Sequence, residues 1–109
     1  MTETQELKEK LRRFRDDRDW AQFHNEKDLA IALSIEAAEL LELFLWKNPN
    51  EAAPDKIKAE LADVFMYALL LADKLGLDIT EIINTKLQLN NEKYPVEKAK
   101  GTAKKYTEL

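Results

Sequence analysis

The stretch LAIALSIEAAELLELFLW, residues 29–46, has only three charged side chains, Glu36, Glu39 and Glu42, spaced three residues apart. It is long enough to suggest a membrane span, but three glutamates make such a span costly. The stretch is apolar nearly all round rather than along one stripe, so a small monomeric bundle would leave part of it unburied. It therefore predicts a central helix that also meets another subunit.

A second apolar stretch, AELADVFMYALLLA at residues 59–72, has Glu60 and Asp63 as its only charged side chains. Residues three apart lie on one helix face, so Glu36 with Glu39 and Glu60 with Asp63 each form a two-carboxylate edge. Carboxylates in apolar surroundings are costly unless they are paired or bind a metal, and neither stretch contains a lysine or arginine. The pattern favours a hard divalent cation, most plausibly Mg²⁺, with Mn²⁺ as the alternative.

The two carboxylate pairs can converge if their helices pack antiparallel, as a short connection favours. Four carboxylates in one volume cannot all stay ionised without a cation, because repulsion and desolvation raise their pKa values. Either pair alone would be uninformative, since such spacing is common on solvated helices, but two pairs in apolar runs favour a metal site. Glu42 continues the spacing and is equally compatible with a ligand role or with a solvent-facing position.

The composition indicates one compact helical domain over residues 1–109. The chain is 45% hydrophobic and 35% charged, with only two glycines and three prolines. A net charge of −4 argues against nonspecific binding to nucleic acid or an anionic membrane. The chain has no cysteine, and MTETQELKEK at its start has no apolar signal-peptide core, which together favour a cytoplasmic protein.

Periodicity and capping residues predict an all-α fold, a four-helix bundle with a basic tail. Asn25 and Asp78 are suitable N-caps, Pro54 suits a first helical turn, Gly76 suits a helix end, and Pro95 stops the last helix. The predicted helices extend over about residues 4–17, 26–47, 54–75 and 79–94, and the tail comprises residues 96–109.

The first predicted helix has an apolar face and a charged one. Leu7, Leu11 and Phe14 repeat at helical spacing. Four arginines alternate with acids on the same helix, a pattern typical of a solvated face. These arginines are Arg12, Arg13, Arg15 and Arg18.

Aromatic and polar side chains near the carboxylates suggest a slot for a nucleobase. Trp46 lies two turns after Glu39, and Tyr67 lies one turn after Asp63. Aromatic walls beside a metal–phosphate site suit base stacking, although single aromatics are more often core residues. Further candidates from other elements, each with an equally ordinary packing or surface role, are Trp20, His24, Lys86, Asn90 and Tyr94.

These motifs resemble those of the MazG-like all-α nucleoside triphosphate pyrophosphohydrolases, and within them the dCTP pyrophosphatase branch. The four carboxylates, with twenty residues between the two pairs, carry the resemblance, which covers most of the chain. One departure is that Ile35 precedes Glu36, where many members have a second glutamate. The accompanying segments are RDW at 18–20, FH at 23–24, LFLWK at 43–47, ELADVFMY at 60–67, KYP at 93–95 and KGTAKKYTEL at 100–109.

The resemblance implies Mg²⁺-dependent hydrolysis of a (deoxy)nucleoside triphosphate, dCTP or a related nucleotide, to a monophosphate and pyrophosphate. It implies assembly as a homodimer or as a homotetramer built from two dimers, and a role in nucleotide-pool house-cleaning. By the same resemblance the metal ligands and catalytic residues are Glu36, Glu39, Glu60 and Asp63. The implied substrate contacts are Trp20, His24, Trp46, Tyr67, Lys86, Asn90 and Tyr94.

Two other classes of protein remain alternatives. A ferritin-like di-metal bundle needs Glu-x-x-His pairs, and the single histidine, His24, does not follow a glutamate at that spacing. A non-catalytic helical oligomer or metal-binding interaction module would leave the buried carboxylates without a catalytic use. The sequence therefore favours the hydrolase over both.

Overall fold

A computed structural model describes all residues, 1–109, and every regular element in it is helical. This confirms the prediction of an all-α fold with four long helices. No helix combines the length and the apolar character that a membrane crossing requires. The α-helices are α1 (Glu3–Asp17), α2 (Glu26–Glu42), α3 (Pro54–Lys74), α4 (Ile79–Lys93) and α5 (Val96–Ala99), and short 3₁₀ turns occupy Ala21–Phe23, Pro49–Glu51 and Tyr106–Glu108.

Helix α1 is closed at both ends by recognisable caps. Thr2 and Gln5 form a capping box, so the helix begins slightly before the predicted position. At the other end Asp19 adopts a left-handed conformation with φ of 55°. The Asp19 N–H donates to the Asp16 carbonyl and the Trp20 N–H to the Arg15 carbonyl, each at 3.0 Å, which is a Schellman motif. This motif fixes where Trp20 leaves the helix.

Helix α2 begins as predicted, with the Asn25 side chain accepting the Asp28 N–H at 2.8 Å. It ends at Glu42, however, and the predicted extension to Lys47 is wrong. The next hydrogen bonds are tightened i to i−3 contacts, and Trp46 has a left-handed φ of 61°. No glycine is present at this turn, and the apolar run continues through it. The sequence pattern therefore predicted a longer helix.

Helix α3 starts at Pro54 and ends in a second Schellman motif, with Gly76 at φ 66° as predicted. The Gly76 N–H donates to the Asp73 carbonyl, and the Leu77 N–H donates to the Ala72 carbonyl. The carbonyl of Leu77 in turn accepts a hydrogen bond of 2.6 Å from the Lys8 Nζ of α1. The Lys8 ammonium group therefore lies at the C-terminal end of α3, where its positive charge also complements the helix dipole.

The prediction of a solvated arginine face on α1 agrees with the exposed Arg13 and Arg18 but not with the half-buried Arg12 and Arg15. Arg12 binds both carboxylate oxygens of Asp73 at 2.8–3.0 Å. Arg18 stacks 3.7 Å above the ring of Phe14, and Arg15 lines a cavity described below. Arg13 and Arg18 are both exposed. Alternation of charges on one helix does not reveal acceptors on another helix, which is why the pattern misled.

Residues 1–77 form one compact unit, in which α2 and α3 make the most extensive contact and α1 also packs on α3. Glu36 in the later half of α2 lies beside Glu60 and Asp63 in the first half of α3, as antiparallel packing requires. Few apolar side chains are fully buried, and Leu29 is the most buried of them. Three large apolar residues of α2 remain exposed, namely Ile31, Ile35 and Leu41.

Residues 78–109 form a second compact unit. Asp78 caps α4 as predicted by accepting the Glu81 N–H at 3.0 Å. The tail at 96–109 contains α5 and a final 3₁₀ turn. In that turn Tyr106 meets Tyr94 edge to face, with ring centroids 6.1 Å apart, and Lys93 lies over the same ring. The prediction of one domain over residues 1–109 stays a prediction.

Candidate active site

Three of the predicted ligands lie together between α2 and α3. Glu36, Glu60 and Asp63 each offer a carboxylate oxygen within 4.8 Å of the others. All three side chains are half-buried. Helical spacing places Glu60 and Asp63 on one face of α3, and packing brings Glu36 of α2 against that face. The result is a group of acids that share one small volume, referred to below as the carboxylate group.

The electrostatics of the carboxylate group are unfavourable when no cation is bound. The Oε2 atoms of Glu36 and Glu60 are buried and have no hydrogen-bond partner. Burial, followed by the neighbouring Glu39 and the other acids, raises the pKa of Glu36 to about 7. Burial and Glu39 also raise the pKa of Glu60. Both shifts result from like charges held out of water, so a positive charge in this volume would relieve them.

The remaining two glutamates of α2 differ from one another. Glu39 is half-buried and lies close enough to Glu36 and Glu60 to raise the pKa of both, but it is outside the group of convergent ligand oxygens. Its predicted ligand role stays a prediction. Glu42, the last residue of α2, is exposed and outside the group, which matches the solvent-facing alternative.

A cavity of about 190 Å³ opens directly beside the carboxylate group. Glu36 and Asp63 form part of its wall, so the cavity and the acids belong to one site. Most of the wall is apolar. The other lining residues are Leu11, Phe14, Arg15, Trp20, His24, Met66, Tyr67 and Leu70.

The structure brings three of the predicted substrate residues to this cavity, namely Trp20, His24 and Tyr67. Trp20 is placed there by the Schellman motif, and its ring meets Phe14 edge to face at 5.7 Å. The Nδ1 atom of His24 is buried without a hydrogen-bond partner. Burial and, secondarily, the nearby Arg15 lower the pKa of His24. The imidazole is therefore neutral at physiological pH and can donate or accept a hydrogen bond.

The other predicted substrate residues are not among those that line this cavity. Trp46 does not line the cavity, and because α2 ends early it is not on the helix face above Glu39 as predicted. Its side chain is 100% exposed. Lys86, Asn90 and Tyr94 belong to the second compact unit, where Lys86 is exposed and Tyr94 contacts Tyr106. Their roles at the nucleotide stay predictions.

Sequence reasoning missed several cavity residues, above all Arg15. It placed Leu11 and Phe14 on the apolar face of α1 without linking that face to the site. A usable signal was present, because Leu11, Phe14 and Arg15 share one helix face at i, i+3 and i+4. On α3, Met66 at i+3 and Leu70 at i+7 lie on the same helix face as Asp63.

The donor set of the carboxylate group fits a hard divalent cation. It consists of carboxylate oxygens, the ligand type that Mg²⁺ and Mn²⁺ prefer, and two of its oxygens are buried without a partner. Glu36, Glu60 and Asp63 would hold the ion. A divalent cation at this site is therefore the arrangement that these residues support best.

The fold and the site together define an all-helical protein with an acidic metal-type site beside an aromatic cavity. The chain belongs to the MazG-like family, whose pattern matches residues 31–109. The family resemblance inferred from the sequence is thereby confirmed. The similarity also extends to individual proteins of known class.

The chain is 38% identical to the dCTP pyrophosphatase 1 of Mus musculus and 36% identical to that of Homo sapiens. Each alignment covers 88% of this chain but only 61% of the relative, so the chain spans about three fifths of the length of these proteins. The crystal structure of a pyrophosphatase from Archaeoglobus fulgidus is similar, with a TM-score of 0.81 and 37% identity. That similarity covers 87% of this chain and 94% of the archaeal one.

Proposed function

We propose that this protein hydrolyses a (deoxy)nucleoside triphosphate to the monophosphate and pyrophosphate, with Mg²⁺ as cofactor. The observation that carries the proposal is the convergence of Glu36, Glu60 and Asp63, with unpartnered buried oxygens, beside a largely aromatic and apolar cavity. Carboxylates alone would suit any hard cation. A cavity with Trp20 and Tyr67 in its wall adds a surface that suits a nucleobase.

Each part of the site has a distinct role in this proposal. Glu36, Glu60 and Asp63 hold the cation, which supplies charge neutralisation for the phosphates when it is bound. Glu39, which stands beside this group, accepts a proton from the attacking water. The oxygen of water bonds to the α-phosphorus. The bond from the α-phosphorus to the oxygen that bridges it to the β-phosphate breaks, and pyrophosphate leaves. Trp20 and Tyr67 hold the base and exclude water from that part of the cavity.

The proposed substrate is dCTP or a closely related nucleotide. Support comes from the relatives of known class, two of which are named dCTP pyrophosphatase 1. The proposed biological role is removal of unwanted nucleotides from the pool, and the proposed location is the cytoplasm.

The proposed assembly is a homodimer or a homotetramer. Ile31, Ile35 and Leu41 are 45%, 51% and 62% exposed on a helix that is apolar nearly all round. Covering these side chains with a second copy would stabilise both subunits, since apolar burial contributes about 25 cal/mol per Å². The exposed Trp46 lies beyond the end of the same helix, where a neighbouring subunit can reach it.

Turnover of a panel of common nucleoside triphosphates, with and without Mg²⁺, tests the proposed reaction. We expect nucleoside monophosphate and pyrophosphate in equal amounts, and no inorganic phosphate. Glu60→Gln should abolish turnover, while the exposed Glu42→Gln serves as the matched control. Release of inorganic phosphate, or turnover that ignores Mg²⁺, would contradict the proposal.

The alternative is a non-catalytic helical oligomer whose acids only bind metal. It predicts that Mg²⁺ raises the melting temperature and that nucleotide adds nothing further. The hydrolase predicts that Mg²⁺ and nucleotide stabilise the protein together, because both occupy the folded site. A melting series with each ligand alone and with both distinguishes the two functions.

A further inference from the structure

Arg15 is the one cationic side chain in the wall of the active-site cavity. It is held there by α1, whose apolar residues Leu11 and Phe14 line the same wall. The carbonyl of Arg15 accepts the N–H of Trp20, so the guanidinium and the indole are positioned by the same helix end. A base that stacks on Trp20 would lie in the same cavity of about 190 Å³ that Arg15 lines.

The guanidinium of Arg15 is anchored but not saturated. Its Nε donates to the Oδ1 of Asp16 at 2.8 Å, and its side chain is 20% exposed. Neither of its Nη groups makes a hydrogen bond within the protein. Asp16 thus orients the group and leaves two parallel donors free. Arginine has donors only, so whatever binds these two groups must present acceptors.

Arg15 lines the same cavity as Glu36 and Asp63 of the carboxylate group but does not pair with either of them. No ion pair joins Arg15 to Glu36 or Asp63. The pKa of Arg15 is raised chiefly by its hydrogen bond to Asp16, with Asp73 as the next carboxylate to act on it. The pKa of Glu36 depends on burial and on its acidic neighbours instead. In the proposed function the cation and phosphates lie beside the carboxylate group, and Arg15, which forms no ion pair with that group, is left for another part of the nucleotide.

We infer that Arg15 is the residue that selects the base, donating from its two Nη groups to the adjacent O2 and N3 acceptors of cytosine. This inference rests on the proposed nucleotide hydrolysis. Uracil and thymine carry a hydrogen on N3, which would face a donor of the guanidinium without an acceptor. Guanine offers a comparable pair of acceptors at O6 and N7, which could bind the same two Nη groups. The experiment therefore includes dGTP beside dCTP.

The test compares Arg15→Met and the conservative Arg15→Lys with the wild type, using dCTP, dUTP and dGTP. The first two substrates differ only in the group at C4 and the protonation of N3. We expect Arg15→Met to lower the ratio of kcat/KM for dCTP over dUTP about tenfold or more. Arg15→Lys keeps the positive charge but loses the two parallel Nη donors, so it should lower the ratio less than Arg15→Met does. The exposed Arg13→Met is the matched control and should leave the ratio unchanged.

Equal losses for dCTP and dUTP would overturn the inference, because they would place Arg15 at the phosphates or in the fold. An unchanged ratio in Arg15→Met would overturn it as well. A loss of kcat/KM in Arg15→Met that affects dGTP alone would assign the two Nη groups to guanine and contradict the cytosine assignment. Circular dichroism of each variant verifies that it is folded.

A binding measurement keeps this inference separate from the proposed reaction. Calorimetric titration of dCMP and dUMP into metal-free protein requires no turnover. If the wild type hydrolyses no nucleotide, the proposed reaction fails, and the preference for dCMP over dUMP still decides the role of Arg15. We expect that preference in the wild type and its loss in Arg15→Met. Equal binding of dCMP and dUMP by the wild type would refute the role.

Discussion

Arg12 of α1 donates hydrogen bonds to both carboxylate oxygens of Asp73 on α3, from its Nε at 3.0 Å and from one Nη at 2.8 Å. One helical turn earlier, Lys8 binds the carbonyl of Leu77. These contacts join α1 to the end of α3 over two turns. Phe14, Arg15 and Trp20 of the cavity wall follow on the same helix and its C-terminal end. The contacts of Lys8 and Arg12 therefore also position the site.

The first prediction is that Arg12→Met lowers the free energy of unfolding by about 1 kcal/mol, a modest value because the arginine is partly exposed. Denaturation with urea measures it, and a double-mutant cycle with Asp73→Asn isolates the pair. Arg13→Met, on the exposed side of the same helix, is the control. A coupling energy near zero would show that the ion pair does not hold α1 in place.

The second prediction is that Glu60→Gln weakens binding of Mg²⁺ or Mn²⁺ by about 10- to 100-fold, the range that loss of a supporting group already causes at metal sites. Turnover should fall with it. The metal-free variant should be at least as stable as the wild type, because one charge is removed from the carboxylate group. Calorimetric metal titration and melting in chelator measure the two effects.

Glu42→Gln is the matched control for that experiment, since Glu42 is an exposed glutamate of the neighbouring helix end. It should change neither metal affinity nor stability appreciably. Normal Mg²⁺-dependent turnover in Glu60→Gln would remove Glu60 from the ligand set.

The third prediction concerns pH. The pKa of Glu36 is about 7 in the folded metal-free protein and 4.5 as its ordinary value. The folded state therefore binds a proton more tightly than the unfolded state, and stability must decrease as the pH rises from 4.5 to about 7. Glu60 contributes in the same direction. Urea denaturation in chelator across this range measures the slope.

Excess Mg²⁺ should reduce that slope, because the cation favours the ionised carboxylates at every pH. Glu36→Gln should also flatten it in chelator. A metal-free protein that becomes more stable between pH 5 and pH 7, in spite of the folded pKa of about 7, would show that the carboxylates are solvated rather than crowded.

The fourth prediction is that Trp20→Ala raises the KM for the preferred nucleotide about tenfold or more, because base stacking contributes about 1–3 kcal/mol. Metal affinity should remain nearly unchanged, since Trp20 does not belong to the carboxylate group. Steady-state kinetics and metal titration on the same folded sample give both values. A folded variant with normal KM would assign Trp20 to packing alone.

The fifth prediction concerns Trp46, a fully exposed tryptophan with a left-handed backbone. This conformation costs most residues about 1 kcal/mol, whereas glycine adopts it freely. Trp46→Gly should therefore leave the unfolding free energy unchanged or slightly higher. If Trp46 contacts nucleotide from a neighbouring subunit, the same variant should raise KM. Lower stability together with normal KM would assign the side chain to packing.

The sequence was sufficient to predict the elements of the fold that local chemistry determines. Asn25 and Asp78 cap helices as expected, and Gly76 ends α3 in the left-handed conformation. The end of α2 was not predictable in the same way. There the left-handed position is occupied by Trp46 rather than by glycine, so no residue type signals the turn.

At the site, the convergence of Glu36, Glu60 and Asp63 was predictable because helical spacing and apolar surroundings identify them without knowledge of the packing. Arg15 was not, since its role depends on which side of α1 faces α3. The same applies to Arg12, whose partner lies 61 residues away in the chain. Charged residues on a single helix look solvated until a second helix supplies the acceptor.

The crowding of Glu36 and Glu60 has a consequence for laboratory evolution of this protein. Natural proteins can usually be stabilised by single substitutions, often at the expense of activity. Here the most direct gains lie in the site itself, because replacing either of these half-buried glutamates removes a charge whose Oε2 atom is buried without a partner. Selection for heat resistance alone, in chelator, would therefore enrich inactive variants. Screening in the presence of Mg²⁺ would make heat resistance and catalysis compatible goals.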